Sequence, residues 1–332
     1  MRPMSAAHIV VTDGFTLNPG DNPWADLEKL GAVTVYERTS SEELLPRCRD
    51  AEVLIVNKTP VRREPLLQLP RLKFISVSAT GFDCVDIEAA GRRGVPVSNV
   101  PVYGTDSVAQ YVFSAILHVW HNIAVHDAAV KNGAWGRQPD WSFWKTPLVE
   151  LRGKRLGIVG FGRIGRRVGE LAHAFGMEVM ACDTLRRSEP AYSPFRWAGL
   201  EELFTASDVV SVHCPLTAEN RGFINRTLIG RMQPTALLIN ASRGQLANEQ
   251  DLAAALNLGV IAGAVLDVVA EEPIRPENPL LTARNVLITP HLAWATREAR
   301  QRLMTTTVAN VRAFLEGRPQ NVVNRHCLPE RV

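Results

Sequence analysis

The chain has 332 residues, of which 46% are hydrophobic and 21% charged, and its formal net charge is +3. That length favours two domains, and the dispersed basic residues with so small a net charge exclude a nucleic-acid footprint. No apolar run reaches the roughly 18 residues of a membrane span, so a cytoplasmic chain with no membrane partner is expected. MRPMSAAHIVVTDG lacks the long apolar core of a secretory leader. The five cysteines, Cys48, Cys84, Cys182, Cys214 and Cys327, are odd in number and never at CxxC spacing. They read as reduced thiols, and no metal site is read from the sequence.

In chain order, HIVVTD (8–13), AVTVYE (32–37), VLIVN (53–57), FISVSA (74–79) and PVSN (96–99) are predicted strands. WADLEKLG and DIEAAGRRG between them have helical spacing and stop at glycine. Strands alternating with helices predict a parallel sheet covered on both faces. A long helix is predicted from about Thr105 to Lys131, with Ser107 and Gln110 at capping-box spacing. A loop rich in Trp, Gly and Pro follows, containing Trp135, Trp141 and Trp144.

A second α/β run starts at RLGIVG (155–160). Its later strands are MEVMAC (177–182), DVVSVHC (208–214), ALLIN (236–240), VIAGAVLDV (260–268) and NVLIT (285–289). Helices are expected over 164–175, from a cap at Asn248 to Gly259, and over 295–315. The expected fold is α/β, with two Rossmann-like or flavodoxin-like domains. Residues 100–292 form a dinucleotide-binding domain inserted into a substrate domain made of 1–99 and 293–332.

Gly160-Phe161-Gly162-Arg163-Ile164-Gly165 follows a strand and opens a helix, and Asp183 lies 18 residues past Gly165 at the end of the next strand. That context makes G-x-G-x-x-G a dinucleotide signal. Gly160 permits the tight turn, Gly162 the approach of a pyrophosphate, and Gly165 close helix–strand packing. The amides of Arg163 and Ile164 would face the phosphates. Asp183 would bind the adenosine ribose and repel a 2′-phosphate, which favours NAD over NADP; Arg186 and Arg187 weigh the other way.

Arg243, Glu272 and His291 each follow a predicted strand, where α/β sites form. A guanidinium can hold a carboxylate through two hydrogen bonds. A histidine can exchange a proton with a carbonyl oxygen, and a nearby carboxylate can tune it. Read singly, Arg243 is a strand-end salt bridge, Glu272 half of a solvated acidic turn with Glu271, and His291 a loop cap. Together they read as a keto-acid site.

GIVGFGRIG (157–165), HCPLT (213–217), NASRG (240–244), LDVVAEEP (266–273) and TPHLAWAT (289–296), with SATGFDCVD (78–86) and VPVYGTDSVAQYVF (100–113), resemble the D-isomer-specific 2-hydroxyacid dehydrogenases over nearly the whole chain. YGTDSVAQ, including Gln110, and HLAWAT resemble the glycerate dehydrogenase (hydroxypyruvate reductase) branch. The resemblance implies NAD-dependent reduction of a small 2-keto acid, hydroxypyruvate or glyoxylate, by a homodimer. It assigns Arg243 to the carboxylate, His291 to proton transfer and Glu272 to tuning His291. It further implies Asp267 at the nicotinamide carboxamide, and His213, Cys214, Pro215, Ala241, Ser242 and Ala293 along the cofactor. Asn57, Thr80 and Gly81 are implied substrate contacts, with Lys58 near them. Trp141 or Trp144 would cap the pocket or lie in the dimer interface. The other readings are a dinucleotide-sensing corepressor-like protein, or a dehydrogenase for D-lactate, a branched 2-hydroxy acid, formate or phosphite. Glutamate rather than glutamine at 272 disfavours formate.

Overall fold

In the computed structural model, residues 7–329 are described. Backbone contacts divide the chain into one compact unit of Met1–Tyr103 with Ala295–Val332, and a second of Gly104–Trp294.

The first unit holds strands β1 (Ala7–Val11), β2 (Gly31–Val35), β3 (Val53–Val56), β4 (Phe74–Val77) and β5 (Val97–Ser98), all parallel in the order β2-β1-β3-β4-β5. This is the flavodoxin-like order. β3 and β4 are buried at every position, so both faces are covered, and their continuous apolar runs follow from that. The Ile87–Arg92 helix starts at Asp86, whose carboxylate accepts the Ala89 N–H. The chain returns through the Arg297–Leu315 helix, capped by Thr296.

The second unit holds β6 (Arg155–Val159), β7 (Glu178–Cys182), β8 (Phe195–Trp197), β9 (Val209–Val212), β10 (Leu237–Asn240), β11 (Gly263–Leu266) and β12 (Val286–Ile288). The order β12-β11-β10-β9-β6-β7-β8 is parallel throughout and reverses direction between β6 and β9. That is the Rossmann order with a switch point at β6/β9. Period-2 alternation sorts side chains onto two cores. Leu237 and Ile239 point into a cluster with Val112, Phe113, Ile116 and Val168, while Leu238 joins Leu203, Phe204, Leu252 and Leu256 on the other face. The Arg163–Ala174 helix buries Gly165, Val168, Gly169 and Ala172, a stripe at i, i+3, i+4, i+7.

Three local expectations are corrected. The 105–131 helix is two helices, Thr105–His121 and Ile123–Lys131, broken at Asn122, which takes a left-handed φ of 44°. Asparagine tolerates that conformation. Ser107 does not cap; its hydroxyl donates to the Ala293 carbonyl at 2.6 Å, and the Thr105–His121 helix begins at Gly104 with no side-chain cap. β8 was not anticipated, because FRW is three residues long and lies within a turn-rich stretch. Among the described residues no helix is long and apolar enough to cross a membrane.

Candidate active site

The residues singled out in the second unit collect at the carboxyl edge of its sheet. Gly160 follows β6, Asp183 follows β7, His213 to Pro215 follow β9, Ala241 to Arg243 follow β10, Asp267 follows β11, and His291 lies past β12.

At the glycine loop, Gly160 has φ 92°, and a Cβ there would lie 2.5 Å from the Cys214 nitrogen. Only glycine fits. A Cβ on Gly165 would lie 2.2 Å from the Gly160 carbonyl oxygen, while one on Gly162 would meet nothing within 4 Å. The loop is therefore closed towards the protein at Gly160 and Gly165 and open at Gly162. No side chain caps the Arg163–Ala174 helix that begins there, so its first amides are not taken by a cap. A cradle open at the middle glycine, at an uncapped helix N-terminus, fits a pyrophosphate. Asp183 accepts the Phe161 N–H at 2.6 Å through one carboxylate oxygen and the Leu185 N–H at 2.9 Å through the other. Each oxygen retains a lone pair for a ribose hydroxyl.

His213 is half-buried with Nε2 2.8 Å from Ser211 Oγ, and burial pushes its pKa down to about 4. The Cys214 thiol is pushed up to about 11 by burial, so it packs rather than attacks. Its carbonyl accepts the Ser242 hydroxyl at 2.6 Å, tying the β9 loop to the β10 loop.

Arg243 is half-buried and donates to the Ser242 carbonyl at 2.8 Å; its own carbonyl accepts the Asn240 side-chain amide at 2.9 Å. The next residue, Gly244, has backbone against it: a Cβ would stand 1.9 Å from the Val269 carbonyl carbon. Gly244 thereby lets the β10 loop touch the segment that leads to Glu272. That segment is fixed at Ala270, whose N–H donates to Glu249 at 2.7 Å and whose carbonyl accepts from Gln245 at 2.6 Å. Glu249 also accepts from Asn278 at 2.9 Å.

His291 Nδ1 and Glu272 Oε2 are 2.7 Å apart. A carboxylate only accepts, so Nδ1 carries the hydrogen, and Nε2 is the nitrogen left for proton exchange. His291 has φ 52°, in the left-handed region that few residues other than glycine enter. Its N–H donates to the Asp267 and Thr289 carbonyls at 2.8 and 2.9 Å. The Asp267 carboxylate, buried, accepts from Leu292 N–H (2.8 Å), Ala293 N–H (2.8 Å) and the Thr289 hydroxyl (2.6 Å). Burial, partly offset by these donors, raises its pKa above the usual carboxylate range. Asp267 thus shapes the strained loop carrying His291, with one lone pair on Oδ2 left for a further donor.

In the first unit, Asn57 at the end of β3 is buried, its side chain donating to the Ser78 carbonyl at 2.7 Å. The amides of Asn57, Lys58 and Thr59 all donate to Asp13. Thr80 donates to the Val100 carbonyl at 2.9 Å, and Gly81 follows it past β4. Trp141 and Trp144 are 88% and 68% exposed. Asp13, Gly244, Glu249 and Thr289 escaped sequence reading. Asp13 and Glu249 act by capping amides from distant segments, which leaves no local signature.

A family model described as D-isomer specific 2-hydroxyacid dehydrogenase, NAD binding domain, matches residues 113–293. The hydroxypyruvate reductase of Blautia hydrogenotrophica is 46% identical over 320 residues, 96% of this chain and 99% of that protein. An NADPH-dependent glyoxylate/hydroxypyruvate reductase from Sinorhizobium meliloti, solved with NADP and malonate, superposes with a TM-score of 0.82 at 28% identity, covering 99% of this chain and all of that one. The D-lactate dehydrogenase of Aquifex aeolicus, solved with NAD and lactic acid, gives 0.80 at 28% identity, covering 93% of this chain and 96% of that one. With the match to the Blautia hydrogenotrophica enzyme running almost end to end and a dinucleotide cradle on the second sheet, the chain belongs to the D-isomer-specific 2-hydroxyacid dehydrogenases.

Proposed function

We propose that this protein reduces hydroxypyruvate to the D-2-hydroxy acid, or glyoxylate to its achiral 2-hydroxy acid, with NADH as the preferred reductant. The 2.7 Å His291–Glu272 pair at the carboxyl edge of the dinucleotide-binding sheet carries this reading, and the reductase names of its relatives support the substrate class. The nicotinamide, when bound, supplies the hydride. Arg243 holds the substrate carboxylate and stabilises charge on the reacting oxygen. His291, protonated, donates from Nε2 to that oxygen, while Glu272 stabilises the imidazolium through Nδ1–H. In oxidation the neutral ring accepts the hydroxyl proton through the same nitrogen.

Gly160, Gly162, Arg163, Ile164 and Gly165 are assigned to the pyrophosphate and Asp183 to the ribose. His213, Cys214, Pro215, Ala241, Ser242, Asp267 and Ala293 are assigned along the rest of the cofactor. Asn57, Thr80 and Gly81 are assigned to substrate on the family resemblance. The preference for NAD is supported by Asp183, whose charge repels a 2′-phosphate, while Arg186 and Arg187 weigh the other way. A homodimer is part of the same reading, supported by the exposed apolar side chains of Ile123, Val125, Trp141, Trp144 and Leu148.

Steady-state rates with hydroxypyruvate, glyoxylate, pyruvate and branched keto acids, each with NADH and NADPH, test the assignment. The highest kcat/KM is expected for hydroxypyruvate or glyoxylate with NADH. A protein that oxidises neither nucleotide with any of these acids overturns it.

A further inference from the structure

Three ligand-type side chains meet in the first unit without a part in the dehydrogenase chemistry. Glu88 lies in the first turn of the Ile87–Arg92 helix, while His326 and Cys327 end the short Arg325–Cys327 turn. Glu88 Oε1 and His326 Nε2 are 3.3 Å apart across a sequence separation of 238. One ligand atom from each of Glu88, His326 and Cys327 lies within 4.8 Å of the other two. No CxxC or HxxH spacing announces this group, and only the fold creates it.

The turn that carries two of the three is rigidly mounted. Asn324, fully buried, accepts the Val97 N–H at 2.8 Å and donates to the carbonyls of Val95 (3.0 Å) and Ile87 (3.3 Å). Val323 donates to the Val97 carbonyl at 2.8 Å. Beyond Asn324 the tail lies directly on the helix: a Cβ added at Gly91 would stand 2.3 Å from the Cys327 Cβ. The backbone positions of all three side chains are therefore set before any ligand arrives.

We propose that Glu88, His326 and Cys327 form a binding site for one divalent cation of the zinc class, which fastens the C-terminal tail to the Ile87–Arg92 helix. Zinc bonds of about 2.0–2.3 Å in tetrahedral geometry place donor atoms roughly 3.3–3.8 Å apart. With every pair already within 4.8 Å, no spacing need close by more than about an ångström, within the reach of exposed Glu88 and His326 rotamers. One carboxylate oxygen, one imidazole nitrogen and one thiolate sulfur match a borderline cation, whereas magnesium and calcium take all-oxygen sets. As the sulfur–metal bond forms, the Cys327 thiol releases its proton to solvent. Glu88 exchanges its hydrogen bonds for coordination, and water completes the fourth position. The donors bring two negative charges to the ion, and Arg92, near Cys327, offsets part of them.

The full-length protein, stripped with a chelator, is titrated with zinc chloride by calorimetry and with cobalt(II) by absorption. One zinc per chain is expected, with affinity reduced tenfold or more in each of Glu88→Gln, His326→Ala and Cys327→Ser. The cobalt form should show a sulfur-to-cobalt charge-transfer band that Cys327→Ser lacks. Unchanged melting of the metal-free variants separates loss of ligands from loss of fold, and Glu88→Gln and His326→Ala decide the matter should Cys327→Ser unfold. Keto-acid reduction by metal-free protein is expected to be the same in all of them. Absence of zinc binding, or a charge-transfer band that survives in Cys327→Ser, overturns the proposal.

Discussion

At the scale of single residues, the side chains proposed to meet the substrate are distinct from those that hold them in place. His291 occupies a left-handed conformation, with its N–H and its loop fastened by Asp267. Such strain persists only where surrounding contacts over-determine it. Removing the imidazole should cost the proton transfer and leave the loop, so His291→Ala is expected to lower kcat by about 10²–10⁴. NADH affinity, read by fluorescence titration, should stay within twofold. Equal losses in both would return His291 to a structural role. Glu272→Gln removes the charge but keeps a hydrogen-bond acceptor at Nδ1–H. The imidazolium then loses its electrostatic partner, and the alkaline limb of the pH–rate profile for reduction, where the ring gives up the proton it must donate, should move to lower pH. A profile that stays in place would mean that the 2.7 Å contact positions the ring without tuning it. Arg243, Glu272 and His291 stand out in the sequence by residue type, because the proposed chemistry calls for them. The role of Asp267 is only partly legible there. A carboxylate that shapes a loop and one that meets a cofactor are written with the same letter, and only the hydrogen bonds tell them apart.

At the scale of elements, strand–turn–helix units explain why the reading of the fold succeeded where it did. β3, β4, β9, β10 and β11 are each four residues, every one buried. Apolar runs of that kind, set between glycine-stopped helices, have few other destinations. Asn122 and β8 lack such a pattern, since one asparagine in a helical run and three residues in a turn-rich stretch carry no period. The glycine loop gives a paired prediction. Gly160→Ala sets a Cβ against the β9 loop backbone at a φ that alanine avoids, so lower thermal stability and lost cofactor binding are both expected. Gly162→Ala points its methyl into open space from a φ any residue adopts. Melting should therefore hold while the KM for NADH rises about tenfold or more. If Gly162→Ala bound NADH normally, the open side of the cradle would not be where the pyrophosphate lies. The end of β9 adds a pH effect. His213 titrates at about 4 when folded against 6.5 ordinarily. Between those values the unfolded chain binds the extra proton, so this residue contributes stability that is complete above pH 6.5 and is lost as pH falls towards 4. In melting curves across that range, His213→Asn should show a shallower fall in stability than the parent.

At the scale of the whole molecule, the first unit is assembled from both ends of the chain. The long C-terminal helix was expected to lead the chain back, but what secures the tail was not read, because nothing in VVNRHC marks Asn324 as different from any loop asparagine. In the structure that residue is fully buried and completes three backbone groups from 87–97. It closes the exposed margin of β5, where Ser98 also bridges to Val322. Asn324→Ala leaves the Val97 N–H and the Val95 carbonyl buried without partners. Each such group costs about 1–3 kcal/mol, and the local unfolding of the tail becomes correspondingly easier. Hydrogen exchange should therefore report faster exchange at Val97 and Val323, while amides of β6, β9 and β10, in the other unit, keep their protection. Uniform loss of protection in both units would instead mean that the two fold as a single cooperative block, and that the tail's contribution reaches the dinucleotide domain as well.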